Sequence, residues 1–150
     1  MKTRFDRPTD TTITYEREFS AAPEKVWEAY TRPELLRTWL GYGEFVTCEM
    51  DIRPGGSFRW VWQLPEFTMG IHGEVLEVEA PRLLVTTEHM TDTDYPPTTN
   101  TVELEPLDGG GTLMRTRIEY ASVEARDGAW ESGMASGVED SFTTLDGRLD

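Results

Sequence analysis

The stretch Asp51-Ile52-Arg53-Pro54-Gly55-Gly56-Ser57-Phe58, continued by Arg59-Trp60-Val61-Trp62, decides how this chain folds. Pro54 has no backbone donor and the glycines permit positive φ, so the segment turns one strand back onto the next. Past the turn, side chains alternate between two faces, which puts Phe58, Trp60 and Trp62 together on one of them. Three large aromatics on one strand face demand either a thick core or a wide apolar pocket.

The same chemistry repeats outward from this turn. Strand-like runs are predicted at 45–52, 56–63, 67–79, 82–90, 100–106 and 112–120. Between them lie Pro65-Glu66, Ala80-Pro81, Pro96-Pro97 and Asp108-Gly109-Gly110-Gly111, all turn formers. Such short connections imply antiparallel hairpins. Val75-Leu76 interrupts the alternation of the longest run and predicts a bulge. Earlier in the chain, Ile13, Tyr15, Arg17 and Phe19 alternate with polar residues, as a strand with one buried face does.

Two short helices are predicted next. Pro23 and Glu24 start the first, which buries Val26, Trp27 and Tyr30. Pro33-Glu34 start the second, which carries Leu35, Leu36 and Trp39 and is stopped by Gly41 and Gly43. At the other end, Trp130, Met134, Val138, Phe142, Leu145 and Leu149 recur every three or four residues, the stripe of one long amphipathic helix. Gly133 and Gly137 beside that stripe read as places of close backbone packing. Residues 1–11 are polar and aperiodic and read as a loose arm.

The order is therefore strand, two short helices, six antiparallel strands and one long helix. It predicts a single α+β domain over 1–150, a curved antiparallel sheet of about seven strands wrapped around the C-terminal helix. One helix cannot fill a strongly curved sheet, so a cavity between them follows.

At 150 residues the chain can bury roughly two thirds of its unfolded surface without metals or disulfides. The lone Cys48 shares an apolar strand face with Val46 and Met50, where it reads as an inert core thiol in a reducing, cytoplasmic setting. No membrane-length apolar run is present, and a net charge of −14 opposes nucleic-acid backbones and anionic membranes. Of the 14 basic residues only Lys2 and Lys25 are lysines.

Catalytic and metal chemistry find little footing. There is no His-Glu-x-x-His pattern, no second cysteine and no Gly-x-Ser-x-Gly elbow, so neither a metal, a cofactor nor a catalytic set is expected. Ser57 points away from Phe58, and the glycine run 109–111 lacks the Lys-Ser/Thr of a phosphate loop. On the run 82–90, Leu83, Val85, Thr87 and His89 share a face, which would aim His89 at the cavity mouth. His72 shares a face with Glu74 and reads as exposed. Arg17 faces inward and needs an internal carboxylate, with Asp51 one choice of partner.

The apolar groups converge instead. Phe58, Trp60 and Trp62 share one face, Met69 and Ile71 share one on the next run, and Met114 lies inward on the last strand. Trp39, Trp130 and Met134 come from helices. Together with His89 these are the expected ligand-binding residues, because indole and thioether groups adapt to apolar and aromatic molecules.

This order and these residues resemble the START-like, helix-grip superfamily, also called SRPBCC. Within it the chain is similar to homologues of the activator of the heat-shock-protein-90 ATPase. The likeness is carried by Arg17 with Phe19, Ala22-Pro23 ahead of Val26-Trp27, and Pro33-Glu34-Leu35. It continues through Trp39 with Gly41, the stretch 51–58, Gly73 through Pro81-Arg82-Leu83, Thr101-Val102-Glu103-Leu104, Gly110-Gly111-Thr112, and Gly133 through Leu145. The resemblance implies a deep apolar pocket beneath the last helix. Relatives of this fold include lipid carriers, hormone receptors, polyketide cyclases and co-chaperone domains, so fold alone does not choose a function. Three expectations result: non-catalytic binding of a small apolar, lipid-, aromatic- or polyketide-like molecule; a co-chaperone-like module whose acidic surface meets a basic protein partner; and a cyclase-like enzyme. The oligomeric state is left open by the sequence.

Overall fold

The computed structural model describes residues 2–149. Eight strands form one antiparallel sheet: β1 (Arg4–Asp6), β2 (Thr12–Phe19), β3 (Glu44–Met50), β4 (Ser57–Gln63), β5 (Thr68–Glu79), β6 (Leu83–Met90), β7 (Thr98–Pro106) and β8 (Thr112–Glu119). Their spatial order is β1-β2-β8-β7-β6-β5-β4-β3. Helices α1 (Pro23–Thr31) and α2 (Pro33–Leu36) follow β2, and α3 (Val123–Glu131) and α4 (Met134–Arg148) close the chain. This is the helix-grip arrangement.

The turn at 51–57 explains the register of one half of the sheet. Asp51 N–H donates to the Ser57 carbonyl at 2.8 Å and Gly56 N–H to that of Arg53 at 2.8 Å, closing a compact loop. The same loop then pairs with β5: Gly55 N–H donates to Val75 and Val75 N–H to Gly56, both at 2.9 Å. Occupied on that side, β5 shifts register against β6 between Val75 and Glu77, the bulge the sequence predicts.

Three expectations need correction. The arm 1–11 is not loose where it is described (Met1 lies outside the described residues). Arg4–Asp6 pair with Thr14–Glu16, Thr3 N–H donates to Glu139 at 3.0 Å, and buried Arg126 donates to the Thr9 carbonyl at 2.6 Å. A three-residue strand is too short to show a period, which is why the sequence hid it. The C-terminal helix is two helices, because Gly133 adopts a φ of 87° and breaks the run between α3 and α4. Nor do Gly133 and Gly137 pack closely, since a Cβ on either would meet nothing within 4 Å.

The third correction concerns Arg17. It is only 3 % exposed, as its phase requires, but its partners lie on α4: Glu139 at 3.3 Å and Asp146 at 2.6 Å. Asp51 pairs instead with Arg53 at 2.9 Å. Glu139 and Asp146 lie two turns apart on one helix face, so one guanidinium ties β2 to both ends of α4's exposed flank. Beside this clamp Phe142 packs edge-on against Phe19, and Leu145 is fully buried. Trp39 donates its indole N–H to the Ala29 carbonyl at 3.0 Å and stacks on Phe142, joining the first helices to the last.

Candidate functional site: a polar-floored recess under α4

The sheet's inward face can be read from its register. Strand β7 settles the phase of β6, because Leu84 lies opposite Val102 and Thr86 opposite Asn100, and Val102 and Leu104 face the core. Leu84, Thr86, Glu88 and Met90 therefore face inward. His89 faces outward, correcting its expected place at the cavity. It lies opposite His72, the two rings stacked with centroids 5.0 Å apart, and His72 Nδ1 is 2.8 Å from the Thr91 hydroxyl.

The residue this brings inside is Glu88, on a strand flanked on both sides. The register between His72–His89 and Val75–Thr86 places Gly73 opposite Glu88, and Gly73 is opposite Phe58 on β4. A Cβ on Gly73 would fall 2.7 Å from the Phe58 ring and 1.8 Å from the Thr87 carbonyl, so only glycine lets that ring lie across the strand. On the other side Glu88 pairs with Thr98, at the row that continues toward Tyr120.

Burial pushes the Glu88 carboxyl up to about 7, and no hydrogen bond or charge from the described residues offsets it. Three tyrosines lie within its electrostatic reach. Burial and then the Glu88 charge raise the Tyr15 phenol, raise Tyr42, and push Tyr120 up to about 12. Yet Glu88 itself is only half-buried, as are Val102, Tyr120, Met134 and Val138. Inward-facing side chains on central strands keep accessible surface only where the helix above does not seal them. This partial exposure falls where β6 and β8 end and α4 begins, with the Tyr120 hydroxyl 3.8 Å from Met134 Sδ, so the interior is open to solvent at this end of the sheet, and this open end is the recess.

The expected lining residues divide into groups. Trp60, Met69 and Met134 are half-buried on the inward side. Phe58, Trp62, Ile71, Trp39 and Met114 are buried among protein neighbours, Trp62 and Met114 completely. Trp130 stands on α3 with the Arg7 guanidinium 4.4 Å above its ring. Two buried indole N–H groups, those of Trp60 and Trp62, have no acceptor, although the rings lie 6.2 Å apart in one aromatic cluster. Each such group costs about 1–3 kcal/mol unless something supplies an acceptor. Tyr42, half exposed, meets Trp62 edge-on at 5.2 Å and stands at the recess mouth.

Glu88 and Tyr42 were missed by sequence reasoning, whereas Tyr15 and Tyr120 were read only as inward-facing strand residues. The run Leu83–Met90 is apolar on both faces at its start, so alternation alone gives two phases. The signal lay in the next strand, where Glu103 and Glu105 face out and fix the hairpin register.

Other candidates are weaker. A shallow groove of about 540 Å³ crosses the outer sheet face among Arg4, Glu16, Arg115 and Arg117. Glu16 there already binds Arg4 and Arg115, which also binds Glu105. Among the described residues no cluster of three or more His, Cys, Asp or Glu could hold a metal, and no helix is long and apolar enough to cross a membrane.

A curved antiparallel sheet gripping a C-terminal helix above a partly open interior defines the START-like, SRPBCC class. The chain belongs to the family of activator of Hsp90 ATPase homolog 1-like proteins, whose model matches residues 20–150. It is similar to a protein of Rhodobacter sphaeroides, known from a crystal structure. The two share 33 % identity over 99 % of this chain and 98 % of that one, with a TM-score of 0.93. A Mycobacterium smegmatis protein is 26 % identical over 100 % of this chain and 98 % of that one, with a TM-score of 0.89. The fold is shared more distantly by CalU16 of Micromonospora echinospora, at 20 % identity over 100 % and 87 % of the two chains and a TM-score of 0.69. No curated protein matches the chain.

Proposed function

We infer that the chain binds a small, mainly apolar molecule in the recess between the sheet and α4. The observation that carries this reading is the pair of indole N–H groups left without an acceptor among the described residues, on the same inward sheet face that carries, two strands away, the half-buried carboxyl of Glu88. A core that had evolved only to be filled would leave neither, because buried polar groups are satisfied in the great majority of folded proteins. Aromatic and thioether walls supply the apolar contact, and the few polar groups would orient the ligand. The family's breadth of small-molecule and protein partners is compatible with this but does not select it.

Titration with Nile red, a neutral apolar dye, tests the reading. Saturable one-to-one binding with blue-shifted emission is expected. It should weaken about tenfold in Trp60→Ala, a loss of about 1.4 kcal/mol, and be unchanged in His89→Ala on the outer face. Absence of saturable binding, or equal effects of the two substitutions, would remove the recess as the binding site.

A further inference from the structure

We propose that the ligand of this recess is a hydrophobic amine, whose ammonium group pairs with the inward-facing Glu88 carboxylate. The proposal rests on the ligand-binding reading above and names the chemistry of the ligand.

Among the described residues no basic group offers the Glu88 carboxyl a counter-charge. The two buried arginines are committed elsewhere: Arg17 to Glu139 and Asp146, and Arg126 to the Thr9 and Thr12 carbonyls and to Asp127. A carboxylate held in apolar surroundings without a partner is costly, and a cation brought in from outside removes that cost where a neutral ligand cannot. An entering ammonium also holds the carboxyl ionised, against the effect of burial.

The surroundings fit the same charge. The Glu88 charge is felt by Tyr15 on β2, by Tyr42 in the loop before β3 and by Tyr120 just past β8. Aromatic faces carry negative potential and attract organic cations, the more so where water is excluded. Phe58, lying across Gly73, gives the apolar body a flat wall. The net charge of −14 draws cations toward the mouth and opposes fatty acids and other organic anions. The indole N–H groups of Trp60 lie two positions along β4 from the Glu88 row and those of Trp62 four, so they would serve an oxygen acceptor farther along the same molecule.

Isothermal titration calorimetry at about pH 8, where Glu88 is mostly ionised, tests this with two matched pairs: naphthylethylamine against naphthylethanol, and phenylbutylamine against phenylbutanol. The wild-type protein should bind each amine at least about tenfold more tightly than its alcohol. Glu88→Gln, which keeps shape and removes charge, should bring that ratio to about one while the alcohols still bind. A wild-type ratio near one with the alcohols bound overturns the amine proposal and leaves the pocket reading standing. A preference that survives Glu88→Gln overturns it too, because another group would then recognise the ammonium. If neither member of either pair binds, both the proposal and the reading beneath it fail.

Discussion

The two ends of α4 sit over very different interiors. Beneath its C-terminal half, Phe142 and Leu145 meet Phe19, Trp39 and Met114 in a sealed apolar cluster, and the one buried charge, Arg17, has two carboxylates. Toward its N-terminal end Met134 and Val138 stay half-buried, Met134 meeting Tyr120, while on the sheet's inward face Glu88 and two indole N–H groups lack partners among the described residues. The same sheet supports both. Stability is concentrated where aromatic rings interlock, and the satisfied charge shows that this fold can pair a buried ion when pairing is needed. The proposed site rests on the carboxyl left unpaired on the sheet, although the Arg17 Nε is also without an acceptor among the described residues.

The largest effects should fall in the sealed half. Phe142→Ala removes a ring that touches Tyr15, Phe19 and Trp39, and should destabilise by about 3–5 kcal/mol in urea unfolding. Outside that half, Trp62 is fully buried with Phe58 and Ile71, and Trp62→Ala should cost a similar amount, about 3–5 kcal/mol. Trp60→Ala, at the edge of the recess, should cost clearly less, because a side chain with space on one side has fewer contacts to lose. Equal losses at 60 and 62 would mean that Trp60 is packed as fully as Trp62 and borders no open space.

Glu88 sharpens the comparison through pH. Its folded pKa of about 7 lies above the ordinary value of 4.5, so the fold disfavours its ionised form. Below 4.5 this residue carries no penalty. As pH rises from there the unfolded chain ionises first, stability falls, and the loss is complete just above pH 7. Glu88→Gln should therefore be more stable than wild type by about 2–3 kcal/mol near pH 8, the difference vanishing toward pH 4. Melting curves across that range check it, and a pH-independent difference would mean that the carboxyl is solvated.

The smallest effects belong to the glycines of the last helices. Gly137 lies in an open helix interior, so Gly137→Ala should stabilise by about 0.5–1 kcal/mol. Gly133→Ala should destabilise by about 1 kcal/mol, because alanine resists a φ of 87°.

Most of the fold was legible because alternation and turn residues agree along β2 to β8. What stayed hidden was set by distant partners. The phase of Leu83–Met90 depended on its pairing with β7, so alternation offered His89 where the structure puts Glu88. Arg17 announced itself as buried, but strand phase names a face and not the helix opposite it. The break at Gly133 escaped notice because the apolar stripe runs through it uninterrupted, Trp130 to Met134. The same holds at the candidate site: the aromatic face of β4 follows from one strand's alternation, whereas the inward place of Glu88 needs the tertiary register.

The central claim is that the recess holds a ligand through indole groups the protein leaves unsatisfied. The most direct measurement is the nitrogen-15 NMR spectrum of the five indole N–H groups, with and without acetonaphthone, an apolar ketone with one acceptor. The N–H signals of Trp60 or Trp62 should move downfield as they gain a hydrogen bond, while that of Trp39, already donating to Ala29, stays in place. A spectrum in which Trp60 and Trp62 do not respond, or in which all five signals drift together, would contradict the account.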